Sequence, residues 1–183
     1  MTQARVLWRR LDAPGHDACR LTRVAAGWRL AGSAVSLESG VPARLDYRVT
    51  CDREWRSQRG RVRGWCGERA VALTVVRDAG GWTVNGERAP GLEDCVDLDL
   101  GFTPATNLLP IRRLALAVGE AAEPTAAWLD VSAGTLEPLS QRYERRTEDA
   151  FWYEAPRFGY AASLDVAASG FVRRYPGLWE MEA

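Results

Sequence analysis

Two carboxylates two residues apart, Asp97 and Asp99, form the first pair whose residue type and spacing suit chemistry. On one face of an extended segment they lie about 7 Å apart, because each strand residue rises about 3.3 Å. That gap falls in the roughly 6.5–9.5 Å range that separates acid and base in inverting glycosidases. The same pair also reads as a solvated strand face, or as partners for Arg112 and Arg113. A second set is basic: Arg53, Arg59, Arg61 and Arg63, flanked by Trp55 and Trp65. Guanidiniums beside indoles can hold an anionic headgroup or stack on bases, and arginines on an edge strand also block sheet-to-sheet aggregation. The third set is aromatic. Tyr143, Trp152, Tyr153, Tyr160 and Tyr175 cluster in the C-terminal half, and phenols and indoles suit a pocket for an amphiphile. Trp28, Trp82 and Trp128 sit within strand-like runs and read as core.

Composition removes several chemistries. All 24 basic residues are Arg, so neither a Schiff-base lysine nor the lysine of a phosphate-cradling P-loop is present. The single histidine, His16, follows Pro14-Gly15 and reads as part of a surface turn. Nucleophilic triads would have to pass through it alone. Cys19, Cys51, Cys66 and Cys95 form no CxxC pair, so no zinc site and no other cofactor is expected. Basic and acidic residues balance at 24 each, which gives no global field for nucleic acid. The N-terminal stretch is charged, and no run approaches the roughly 20 apolar residues of a membrane span. A cytoplasmic protein with reduced thiols and no integral membrane association is the expectation.

The elements that must position these residues are short alternating runs broken by Gly, Pro, Asn and Asp, the pattern of an antiparallel sheet. Leu45 to Val49 alternates cleanly, and Asn85-Gly86 predicts a tight type I′ hairpin. Val96, Leu98 and Leu100 share one face of a predicted strand, with Asp97 and Asp99 on the other. The Thr103–Asn107 loop leads into one helical stretch through Arg113, with Asn107 as its expected cap and Pro110 in its first turn. A strand from Phe158 to Val166 places Tyr160, Ala162, Leu164 and Val166 on one face. With 183 residues, 46% of them apolar, and no linker or repeat, a mainly β chain of one domain over residues 1–183 is the economical reading.

Two stretches carry a resemblance to a known family. One runs from Asp97 to Leu114 and contains Asp-x-Asp, Thr-Pro-x-Thr-Asn and Leu-Pro-Ile-Arg-Arg-Leu. The other is Gly170-Phe-Val-Arg-Arg-Tyr-Pro-Gly-Leu-Trp179, preceded by Gln141-x-Tyr143 and Leu164-Asp165-Val166. Both are similar to signatures of the putative glycolipid-binding family of bacterial proteins (DUF1089-like), and the likeness covers nearly the whole chain. The resemblance implies a single antiparallel spiral β-roll, an open half-barrel with at most one or two short helices. It further implies non-catalytic binding of an amphiphile, a glycolipid or fatty-acyl compound, on an apolar concave face. On that reading Asp97, Asp99, Asn107 and Arg112 would hold sugar hydroxyls, while Tyr143, Tyr153, Tyr160 and Tyr175 would line the cleft. A small-molecule enzyme on the same scaffold, built on Asp97 and Asp99, and a protein–protein module remain alternatives.

Overall fold

The computed structural model describes residues 2–38 and 40–182. Eight strands come first: β1 (Thr2–Arg10), β2 (Gly15–Val24), β3 (Gly27–Glu38), β4 (Val41–Cys51), β5 (Ser57–Cys66), β6 (Arg69–Asp78), β7 (Gly81–Val84) and β8 (Glu87–Ala89). A middle segment holds β9 (Leu98–Asp99), a 3-10 turn (Pro104–Asn107) continuing into α1 (Leu108–Leu114), β10 (Ala121–Ala122), β11 (Thr125–Asp130) and β12 (Thr135–Ser140). The chain closes with β13 (Arg142–Arg145), β14 (Ala150–Ala155), a 3-10 turn (Pro156–Phe158), β15 (Tyr160–Val166), β16 (Val172–Tyr175) and β17 (Trp179–Met181).

Fourteen of the strands make one antiparallel ladder in the order β10-β13-β14-β15-β16-β17-β1-β2-β3-β4-β5-β6-β7-β8. Its end strands, β10 and β8, do not pair, so the sheet is an open roll and not a barrel. The first and last strands meet in its middle, with Trp8 opposite Met181 and Arg10 opposite Trp179. Trp8 fixes that seam. It is fully buried, its indole Nε1 donates to the Val172 carbonyl at 2.7 Å, and Phe171 packs edge-on against it at 5.4 Å.

Strict alternation decides which face each residue takes. In β4, Ala43, Leu45, Tyr47, Val49 and Cys51 are buried, whereas Arg44, Asp46, Arg48 and Thr50 point outward. Asn85 (φ 50°) and Gly86 (φ 90°) form the predicted hairpin between β7 and β8, both in the left-handed region that a type I′ turn demands.

The inner face is covered from within by the segment between β8 and β13. Here β9, β11 and β12 form a separate three-stranded sheet, with β9 parallel to β11. Leu98, Leu100, Leu108, Leu109 and Leu129 enter one core with Val6, Leu21, Leu30, Val49 and Val62 of the large sheet. Each such leucine contributes about 1.5–3 kcal/mol by leaving water. The fit is close at Gly60, where a Cβ would come within 2.4 Å of Leu98 Cδ2.

Several local expectations change. Thr103, not Asn107, caps the helical stretch: its Oγ1 accepts the Ala105 N–H at 3.0 Å. The extra 3-10 turn starting at Pro104 moves the helical start upstream and leaves Asn107 inside it. His16 lies on β2 opposite Arg9 and Val35, because Gly15 already joins the ladder. The strand around Asp97 shrinks to Leu98–Asp99, and β15 begins at Tyr160, with Phe158 exposed in the preceding turn. The arginine stripe also divides. Arg59, Arg61, Arg63 and Trp65 point outward from β5, but Arg53 and Trp55 belong to the β4–β5 turn, where Trp55 stacks on Trp28 at 4.6 Å. β5 is paired on both sides, so these arginines do not guard an edge.

Among the described residues, one fully buried carboxyl has no cation beside it. Asp17 is 0% exposed; its Oδ2 accepts hydrogen bonds from Tyr47 (2.8 Å) and Thr103, while Oδ1 has no partner among the described residues. Burial without a cation pushes its pKa up to about 6. A raised folded-state value means that the stability is fully present below the unfolded pKa of about 4 and is lost as pH rises through about 6. The cost of ionising it in the fold is about 3 kcal/mol. Urea unfolding across that range should show Asp17→Asn gaining on the wild type by roughly that amount. Parallel pH profiles for the two proteins would refute this assignment.

Candidate functional site

Where the two arms of the large sheet face each other across the inner layer, a cleft of about 550 Å³ remains. That is within the range of small-molecule sites, roughly 300–1,000 Å³. Leu45 of β4 and Cys66 of β5 form one wall; Tyr153, Ala155, Tyr160 and Tyr175 form the opposite one. Asp99, Phe102, Asn107, Trp128 and Leu139 come from the inner layer. Three tyrosines make a continuous aromatic surface, with Tyr175 lying 5.7 Å from Tyr153 and 5.1 Å from Tyr160, ring centre to ring centre. Period-two alternation explains this wall: Tyr153 is on the inward face of β14 and pairs with Ala162, two residues from Tyr160 on β15.

At the floor, Gln141 donates its Nε2 hydrogens to Asp99 Oδ2 at 2.8 Å and to the Tyr153 hydroxyl oxygen at 3.1 Å. The other Asp99 oxygen accepts the Gly101 N–H at 2.8 Å. Burial raises the Asp99 pKa, and these two hydrogen bonds hold it back only in part. Burial also pushes the phenols well above their ordinary value for Tyr143, Tyr153 and Tyr175, and to about 12 for Tyr160. At neutral pH all four are therefore un-ionised hydroxyls; Tyr160 donates its proton to the Pro176 carbonyl at 2.7 Å, which leaves its oxygen to accept. Buried thiols follow the same rule, with Cys19 and Cys51 raised to about 12 and Cys95 to about 11, which leaves them poor nucleophiles.

Charge at the cleft is dominated by carboxylates. Asp12, Glu38, Asp99 and Asp130 line it, against Arg10 and Arg69. Arg10 is held by Asp12 at 2.7 Å and by Glu38, and Arg69 donates to the Val131 carbonyl at 3.3 Å.

Of the residues singled out in the sequence, Asp99, Asn107, Tyr153, Tyr160 and Tyr175 come together at this cleft. Asp97, Arg112 and Tyr143 do not line it. Asp97 is 2% exposed and faces Arg113, whose Nε and Nη2 donate to its two oxygens at 3.0 and 2.6 Å. The two aspartates occupy different environments, because the backbone is extended only at Leu98–Asp99. Arg112 donates to the carbonyls of Ser169 (3.2 Å) and Ala168 (2.7 Å), pinning the β15–β16 loop. Tyr143 is fully buried and accepts from Asn107 Nδ2 at 3.0 Å, so it supports Asn107 from behind. Trp152 points to the outer face, where its Nε1 donates to Glu154 at 2.6 Å. Trp128 is half-buried at the cleft and not core. Sequence reasoning missed Gln141 as the residue that positions Asp99; the only signal was its place in the Gln141-x-Tyr143 element. It also missed Phe102, whose only signal was its place in the Asp97–Leu114 stretch.

An open antiparallel roll, filled by an inner layer that leaves one aromatic-walled cleft, defines the class of protein. The chain belongs to the putative glycolipid-binding family, whose model matches residues 5–181. It is similar to a DUF1089 family protein from Pseudomonas aeruginosa, whose crystal structure shares 29% identity over 91% of each chain with a TM-score of 0.80. No curated protein matches the sequence. Among the described residues no helix is long and apolar enough to cross a membrane.

Removing the cation from Asp97 leaves a buried, unpaired carboxylate. Arg113→Ala should therefore lower unfolding free energy by about 3–5 kcal/mol in urea titrations. Replacing both partners with apolar residues should recover most of that loss; equal destabilisation by the single and double variants would contradict the pairing.

Proposed function

We propose that the cleft binds an amphiphile with an uncharged, hydroxyl-rich head, a glycolipid-like molecule, without catalysing a reaction on it. The observation that carries this reading is the composition of the cleft: apolar and aromatic walls, neutral phenols, and carboxylates in excess over arginines. An acyl chain gains about 0.8 kcal/mol per buried methylene, so ten methylenes supply about 8 kcal/mol gross. Association costs at least about 4 kcal/mol, and head-group hydrogen bonds contribute about 1 kcal/mol each. A micromolar affinity follows. Asp99, Asn107, Tyr153, Tyr160 and Tyr175 are the proposed ligand-facing residues, with Asp99 and the Tyr160 oxygen accepting from sugar hydroxyls and the other two phenols able to donate or accept. An anionic head would meet four carboxylates against two arginines, one of them already paired with Asp12 and Glu38, and is disfavoured. The family description supports the glycolipid reading. Four unpaired cysteines fit a reducing cytoplasmic setting, in which the chain works as one domain.

An enzyme reading would rest on Asp99 alone, since Arg113 occupies both oxygens of Asp97. Its raised pKa is the property of a general acid.

The test is native mass spectrometry of protein purified without detergent, followed by calorimetric titration with a medium-chain alkyl glucoside and the alkyl sulfate of equal chain length. The glucoside should bind at micromolar concentration and the sulfate at least tenfold more weakly. Tyr160→Arg should abolish glucoside binding while leaving the unfolding midpoint within a few degrees of wild type. A clean apo mass together with no glucoside binding would overturn the proposal, and unchanged affinity in Tyr160→Arg would remove that residue from the site.

A further inference from the structure

The zero net charge of the chain conceals a division. Residues 1–77 contain 15 arginines against 7 Asp and Glu, a net of +8, and residues 78–183 contain 9 against 17, a net of −8. The excess cations of the first half gather on the outer face of β1–β5. In register across the ladder, Arg5 lies opposite Arg20, Arg20 opposite Ala31, Ala31 opposite Arg48, and Arg48 opposite Arg61. Four exposed arginines thus form one row across five strands, interrupted only by an alanine. Like charges directly opposite in a sheet are destabilising, yet among the described residues none of the four has a carboxylate within 4.0 Å. Elsewhere on the outer face the chain does offset its arginines: Arg142 has Glu144 and Glu154, and Arg9 has Glu180 and Glu182.

The row borders a groove of about 630 Å³ floored by Ala18, Ala31, Gly32 and Ser33, with Arg5, Arg20, Arg48, Arg61 and Arg63 around it. Adjacent strands are about 4.8 Å apart, so Arg20 and Arg48 flank Ala31 across a gap of roughly 10 Å. That gap admits an anion between two guanidinium forks, which match phosphate oxygens bidentately and are always charged. The one carboxylate at the groove, Asp46, is already engaged by the Ser33 hydroxyl at 2.6 Å and Arg44 at 2.7 Å, one row away.

The geometry points to a binding site for a phosphate-bearing polyanion on the outer face of β1–β5, centred over Ala31 between Arg20 and Arg48. It is separate from the inner cleft and has the opposite charge preference.

Calorimetry with tripolyphosphate and orthophosphate, alongside co-sedimentation with vesicles containing an anionic phospholipid, tests it. One equivalent of tripolyphosphate should bind, with orthophosphate at least tenfold weaker. Arg20→Gln and Arg48→Gln should each weaken binding about tenfold, whereas Arg53→Gln, in the turn outside the groove, should change nothing. Ala31→Glu puts a carboxylate into the row, so it should abolish binding while raising the melting temperature. Vesicle binding lost in Ala31→Glu, without tripolyphosphate binding, would support the site and identify its phosphate as a lipid headgroup. Absence of binding to both tripolyphosphate and the vesicles, or binding indifferent to Ala31→Glu and the two arginine variants, would overturn it.

Discussion

Fourteen antiparallel strands in one ladder present an apolar face far too large to leave in water, and in an open roll that face cannot be buried by closing the sheet on itself. Everything between β8 and β13 answers this constraint. Leu98, Leu100, Leu108, Leu109 and Leu129 fill the inside of the roll, and without them Val6, Leu21, Leu30, Val49 and Val62 would be wet. Because the filling segment is short and the sheet is long, the fit is incomplete, and the cleft is the part of the inner face that the segment does not reach. Cleft and fold therefore have a common origin: the covering layer both completes the core and shapes the vacant space.

Attaching that layer takes more than apolar contact, which is adaptable and carries little directional information. Three buried polar contacts supply direction. Asp97 and Arg113 tie the start of β9 to α1. Asp17 and Tyr47 of the sheet meet Thr103, the cap of the helical stretch. Gln141 links Asp99 to Tyr153 of β14. The contacts of Asp17 and Asp99 cost desolvation that their partners offset only in part, as the raised pKa values of these two groups record. Hydrogen-bond geometry is directional, and the Gln141 contact sets where Asp99 lies at the cleft.

How far the sequence reveals this can be traced residue by residue. Period-two alternation in β4 and β15 and the Asn85-Gly86 turn are local signals, legible without the fold. The tyrosine wall was visible as a cluster because β14, β15 and β16 are consecutive, so sequence proximity and spatial proximity coincide. The shared face expected for Asp97 and Asp99 is absent because alternation is informative only while the chain stays extended, and β9 is two residues long. Gln141 and the Asp17–Tyr47–Thr103 contact were invisible for a different reason. Their partners lie 42, 30 and 86 residues away, and no local pattern carries such distances.

The inner cleft and the outer groove are separated by the thickness of a single sheet, and one buried contact touches both: Thr103 lines the cleft, Tyr47 borders the groove, and Asp17 accepts from each. Proximity alone does not make two sites communicate, since coupling needs an element with two arrangements that each ligand prefers differently. Tyr47 is locked on one side by Gly32, where a Cβ would lie 2.4 Å from its hydroxyl, and on the other by Asp17 and Thr103. A phenol so constrained has one arrangement. The sheet therefore forms a partition between an acid-rich interior and a cation-rich exterior, and this contact offers no second arrangement through which ligands proposed for the two faces would be coupled.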